Sequence, residues 1–270
     1  MVASLHLLAL LLYGGAAAVL GASLAAARRH PPVLALVLLL GGLGLHAAGL
    51  AVFTTRYDDL PLVGLGPSLS TLAFLTATSL LLAGVLKEAR PLGVVLLPFV
   101  AALCAAALLL GIVPAGEPLR FDGIWFLFHV VPSLLGYAAL ALAFAAGLLY
   151  LLQFRELKGK RFGRMFRFFP SLETLDRVGR RALVTGFVAL TLGLMAGTVW
   201  VTRFAGAGGL STKIAWGILT WLVFAGALLA RRRGVSGDRR AATVAVVGFV
   251  VVVVAYIVLR VAVPSGRLFL

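Results

Sequence analysis

Histidine is the residue type in this chain best suited to chemistry, and its four copies are not scattered at random. His6 stands at the start of the first long apolar run, His46 lies inside the second, and His129 opens the fifth. His46 is seven residues from the end of its run at Phe53, and His129 is five residues from the start of its own at Ile124. At the helical rise per residue those separations are about 10 Å and about 7 Å. Two imidazoles at similar depth on different helices suit one metal gripped from opposite sides, the arrangement of a bis-histidine haem. Hydrogen bonding between helices explains either histidine alone, and the residues leave both readings open. His6 is a weaker candidate for the same role. His30 sits between Arg29 and Pro31 and reads as an interfacial residue.

Other chemistry is poorly provided for. The chain holds no Ser, His and Asp set in a plausible context and no phosphate-binding glycine loop, so it reads as a non-enzyme. Carboxylates are nearly absent from the apolar runs: Glu88 and Glu173 fall between them. An ion-driven transporter usually buries an acid near mid-membrane, which counts against transport. The single cysteine, Cys104, lies within an apolar run and can make neither an internal disulfide nor a redox pair. Trp125, Trp200 and Trp216 fall near run ends, where indoles anchor helices at the membrane interface. Trp125 and Trp200 double as weaker candidates for lining a cofactor.

The elements that must carry these residues are transmembrane helices. Of 270 residues, 62% are apolar and only 12% charged, about half the charged fraction of a soluble domain. The apolar residues fall in blocks of about 20, the length that crosses the hydrocarbon core as a helix. Eight spans are predicted: Leu5 to Ala27, Val33 to Phe53, Ser68 to Leu86, Leu92 to Val113, Ile124 to Leu152, Ala182 to Val201, Ile214 to Ala230 and Ala241 to Val261. The fifth is longest and is expected to tilt or to emerge as a cytoplasmic helical extension. The fold class is therefore all-α, a polytopic helix bundle forming one integral membrane domain over residues 1–270. With no Lys or Arg ahead of it, the first span does not read as a cleaved signal peptide.

Orientation follows from the basic residues. The loops after spans 1, 3, 5 and 7 hold two, two, nine and five Lys or Arg, whereas the opposite side holds six in all. The richer side is cytoplasmic, which puts both termini outside. The formal charge of +15 is thereby explained by orientation and anionic lipid, and nucleic acid is not an expected partner. The cytoplasmic segment 153–181 mixes its basic residues with Phe162, Met165, Phe166, Phe168 and Phe169. It reads either as an amphipathic segment on the inner leaflet or as a solvated basic linker.

A family resemblance rests on particular residues. Leu175-Asp176-Arg177, Arg181, Gly186-Phe187, the run Leu190 to Leu194, Gly197 and Trp200 are followed by Lys213, Trp216 and Thr220 to Phe224. His129, with Tyr137 eight residues on, precedes them. This pattern, over about residues 125–242, resembles the cytochrome c assembly membrane proteins of the CcsA, ResC and CcmC kind. His46 and Ser68-Leu69-Ser70 bring the chain nearest the HemX-like branch. The resemblance implies haem handling through His46 and His129, support of cytochrome c maturation or haem homeostasis, other assembly or haem-pathway proteins as partners, and a bacterial inner membrane location. Where that family carries a tryptophan-rich outer loop ending in Trp-Asp-Pro-Lys, residues 201–212 here read Val-Thr-Arg-Phe-Ala-Gly-Ala-Gly-Gly-Leu-Ser-Thr. Other classes to weigh are a membrane regulator docking partners through 153–181 and, less well supported, a small-molecule transporter.

Overall fold

Apolar runs of this length admit few solutions in lipid, because every backbone N–H and C=O must be paired within the segment, and a helix does that alone. A computed structural model describes residues 1–26, 32–62, 64–84, 87–114, 124–160, 163, 168–200, 212–231 and 237–262. Among them lie eight long α-helices: α1 Val2–Ala25, α2 Val33–Tyr57, α3 Leu65–Ala83, α4 Gly93–Leu110, α5 Ile124–Lys158, α6 Leu172–Trp200, α7 Thr212–Arg231 and α8 Gly237–Ala262. Each expected span overlaps one of them. Six stretches are long and apolar enough to cross a membrane, from α1 through α6, and the described apolar part of α7, Ala215–Arg231, is shorter. The chain is a polytopic helical membrane bundle.

The helix ends follow local chemistry. Pro32, extended at φ −67° and ψ 146°, opens α2, its missing N–H costing nothing at a helix N-terminus. Asp58 closes α2 in the left-handed region at φ 51°, and Gly111 closes α4 at φ 86°, a conformation that glycine adopts without strain. A 3-10 turn, Lys87–Leu92, leads into α4. Ser171 caps α6 by accepting the Thr174 N–H on its hydroxyl at 3.3 Å.

The helices pack as two groups. In the first, α1 lies against α2 and α4, and α3 against α4. In the second, α5 and α6 form the most extensive pair, with α8 against α5 and α7. The groups meet where α3 packs on α5. Phe249 of α8 reaches Phe99 of α4 there, with ring centroids 5.5 Å apart.

One expectation needs correction. Segment 153–181 is not a loop throughout: α5 continues to Lys158 and α6 already begins at Leu172. Residues 153–158, Gln-Phe-Arg-Glu-Leu-Lys, favour helix and hold no breaker before Gly159, so the basic residues snorkel from helix ends. Phe168 and Phe169 are buried in the core rather than laid on lipid. Phe162, Met165 and Phe166 fall outside the described residues, as do Arg28, Arg29, His30 and the glycine-rich segment 201–211.

Candidate functional site

His6 and His46 come together. The two rings sit edge to face, centroids 4.9 Å apart, where α1, α2 and α3 converge. Both Nε2 atoms reach one hydroxyl, Ser70 Oγ of α3, at 2.8 Å from His6 and 2.9 Å from His46. His6 Nδ1 lies 2.8 Å from the Val2 carbonyl oxygen one turn earlier, and the Tyr13 hydroxyl lies 3.3 Å from His46 Nδ1. All four side chains, His6, Tyr13, His46 and Ser70, are 0% exposed.

Those distances assign every proton. A carbonyl only accepts, so His6 Nδ1 carries the hydrogen and donates it to Val2. His6 Nε2 then holds a lone pair and accepts from the Ser70 hydroxyl. Ser70, having spent its hydrogen, accepts from His46 Nε2–H, which leaves His46 Nδ1 to accept from Tyr13. Neutral rings satisfy every group, as burial in an apolar bundle requires. The chain of donors ends at a backbone carbonyl, which cannot pass a proton on. The cluster is thus a closed clamp of three helices, with no imidazole lone pair to spare for a metal.

Local sequence builds the clamp. His6 and Tyr13 are seven residues apart, two turns along one face of α1. Small residues on α2 make room: a side chain at Gly42 would lie 2.8 Å from the Tyr13 ring and one at Gly49 2.6 Å from the His6 ring. Cys104 of α4 closes the cavity from behind, its Sγ 3.6 Å from the His6 carbonyl oxygen. Ser70 and Tyr13 did not stand out as site residues in the sequence. The usable signal was the seven-residue spacing and the glycines flanking His46 at helical intervals.

His129 lies elsewhere, near the start of α5, half-buried against α6. Its Nδ1 is 2.7 Å from the Gly193 carbonyl oxygen, so this nitrogen donates and Nε2 keeps a lone pair. No described residue engages that lone pair. An imidazole held through Nδ1–H by a backbone carbonyl, with Nε2 presented, is how metal-ligating histidines are generally oriented. The seat depends on glycine: a side chain at Gly197 would lie 2.5 Å from His129 Nδ1, and one at Gly193 would lie 2.5 Å from Ser133 Oγ. Gly197→Ala should therefore turn the imidazole off its seat and lower the thermal unfolding midpoint. A Gly197→Ala protein with unchanged midpoint and an intact His129 to Gly193 bond, read by imidazole ¹⁵N NMR, would count against this geometry.

The structure therefore brings His46 to His6, not to His129. His46 is bonded at both nitrogens by α1 and α3, and His129 is held by α6. Among the described residues no three or more of His, Cys, Asp and Glu gather closely enough to hold a metal ion. His129 fits an axial haem ligand; His46 fits one only if the clamp is dismantled. Trp125 stands on α5 one turn before His129, and Trp200 ends α6 one turn or so beyond Gly197; their side chains fall outside the description.

Where α7 ends beside the starts of α6 and α8, Arg231 of α7 donates to Asp176 of α6 and, at 3.2 Å, to Asp238 of α8. The Trp221 indole N–H donates to Thr191 Oγ1 at 2.9 Å and joins α7 to α6 nearer mid-membrane.

The sequence pattern of the family described as Cytochrome C assembly protein matches residues 62–264. Cytochrome c biogenesis protein CcsA of Guillardia theta is 34% identical over 149 residues, 49% of this chain and 50% of that protein. CcsA of Chlamydomonas reinhardtii is 33% identical over 137 residues, 49% of this chain and 37% of that protein. CcsA of Prochlorococcus marinus strain MIT 9303 is 45% identical over 87 residues, 32% of this chain and 27% of that protein. The chain matches half or less of the length of these relatives.

Proposed function

This chain belongs to the cytochrome C assembly protein family, and from that premise we propose that it handles haem at the outer face of the membrane in support of cytochrome c maturation. The observation that carries the reading is His129, with Nδ1–H fixed by the Gly193 carbonyl and the Nε2 lone pair engaged by no described residue. His129 lies within the family match at residues 62–264, whereas His6 and His46 precede it. Haem is cargo in this account, bound for transfer and not retained for turnover. This chain's part is ligation and orientation: His129 offers its lone pair, the Gly193 carbonyl fixes the ring through Nδ1–H, and Gly197 leaves room for the ring in its seat. No covalent step is assigned to the chain.

The proposal includes a multi-pass location in a bacterial plasma membrane and docking to other assembly components. Nearness to the HemX-like branch, drawn from His46 and the Ser68 to Ser70 segment, belongs to it as well. A titration of haem into the detergent-purified protein tests ligation. The wild type should develop a sharp Soret band, His129→Gly should not, and added imidazole should restore it to His129→Gly. A Soret band undiminished in His129→Gly would end the ligand role.

A second reading, a regulator that docks partners, is favoured by the exposed Arg155, Lys158, Lys160, Arg180 and Arg181 where α5 and α6 emerge. Deleting 158–168 should then alter haem-pathway enzyme levels while leaving haem uptake intact.

A further inference from the structure

The first helix group carries an apolar cleft that neither the clamp nor the haem reading uses. At their outer halves α2 and α3 are tied together, His46 bonding Ser70 and packing on Phe74 with ring centroids 5.6 Å apart. At their inner ends a cleft opens between them, lined by Leu36 and Leu39 of α2, Leu80 and Leu81 of α3, and Leu97 of α4. One charged side chain lines it, Arg90, in the 3-10 turn that leads into α4. Arg90 donates its Nε to the Gly84 carbonyl at a long 3.4 Å, and its two terminal guanidinium nitrogens meet no described residue. The cleft reaches from the start of α2 to Leu39, six residues or about 9 Å along the helix.

We propose that this cleft holds one acyl chain of an anionic phospholipid of the inner leaflet, with its phosphate on Arg90. Unfilled apolar space forfeits dispersion contacts, and the neighbouring solvent at this depth is hydrocarbon. The guanidinium offers a planar fork that matches phosphate oxygens. The choice of an anionic headgroup follows from charge. Arg90 is the charged side chain that lines the cleft, and the Lys87 and Glu88 of its turn offset one another, which leaves a net positive charge beside it. A zwitterionic headgroup brings no net charge to offset that field, whereas phosphatidylglycerol brings a negative one.

Native mass spectrometry of the detergent-released full chain tests this, after exchange into equal amounts of phosphatidylglycerol and phosphatidylcholine of the same chain length. The wild type should retain phosphatidylglycerol over phosphatidylcholine by roughly fivefold. Arg90→Gln should bring that ratio to about unity, and Arg90→Lys should keep most of it. Leu36→Phe, which fills the cleft from its half-exposed rim, should lower retention of both lipids. Thermal unfolding of each variant checks that the bundle is intact. The proposal is overturned if the wild type shows no preference, if folded Arg90→Gln keeps it, or if folded Leu36→Phe holds as much lipid as wild type. It is equally overturned if inorganic phosphate alone displaces the bound lipid, or if the wild type buries the cleft in a dimer that carries no lipid.

Discussion

Ser70→Ala should be the most damaging small substitution in the first helix group, lowering stability by about 2 kcal/mol. The hydroxyl serves two imidazoles at once: it donates to His6 Nε2 and accepts from His46 Nε2–H. Removing it leaves a lone pair and an N–H without partners in a fully buried site, at roughly 1 kcal/mol for each interhelical bond in a membrane bundle. Tyr13→Phe deletes only the outermost link and should cost about half as much, because His46 Nδ1 alone loses its partner. Ser79→Ala is the control: that hydroxyl bonds the Thr76 carbonyl of its own helix and joins nothing else. The measurement is denaturant unfolding in mixed micelles, followed by helical circular dichroism. Equal midpoints for Ser70→Ala and Ser79→Ala would show that the clamp does not hold the three helices together.

Arg231→Met should act on the second group with a similar or larger effect, about 3 kcal/mol. The guanidinium binds Asp176 and Asp238 together, tying α6, α7 and α8 at the inner surface. Its side chain is 14% exposed and that of Asp176 is 21% exposed, so loss of the cation strands a largely buried carboxylate. Asp238 is half exposed and water recovers most of its share. The double change Arg231→Met with Asp176→Leu removes both charges and should regain much of the loss. A double variant no more stable than Arg231→Met would mean the residues do not act as a pair.

The bundle was largely legible in the sequence, and the reason is the solvent. Lipid admits only helices across it, so apolar block length is close to a direct reading of the elements, and each block from Leu5 to Val261 became a helix. The helical extension of α5 to Lys158 was one of the two outcomes expected of its length, but the start of α6 at Leu172 was misread, because Arg177, Arg180 and Arg181 mark where a helix leaves hydrocarbon, not where it stops. His129 was placed at the correct end of its helix. Its pairing with His46 was a different kind of inference. Rise per residue gives depth, but which helices are neighbours, and which way each ring faces, depends on packing between segments far apart in sequence. His46 faces Ser70 and Tyr13 because Gly42 and Gly49 let α1 approach α2, and no single-helix periodicity carries that information. The orientation of the His129 ring was equally hidden, since it depends on a carbonyl of α6, 64 residues away.

The central claim is that the imidazole of α5, and not that of α2, is the haem ligand this chain contributes. The direct measurement is haem affinity by Soret titration for wild type, His46→Ala and His129→Ala, each first shown to be folded. The account predicts that His129→Ala loses the haem spectrum while His46→Ala keeps the wild-type affinity despite a weaker fold. A folded His46→Ala protein that no longer takes up haem, beside a His129→Ala protein that still does, would contradict it.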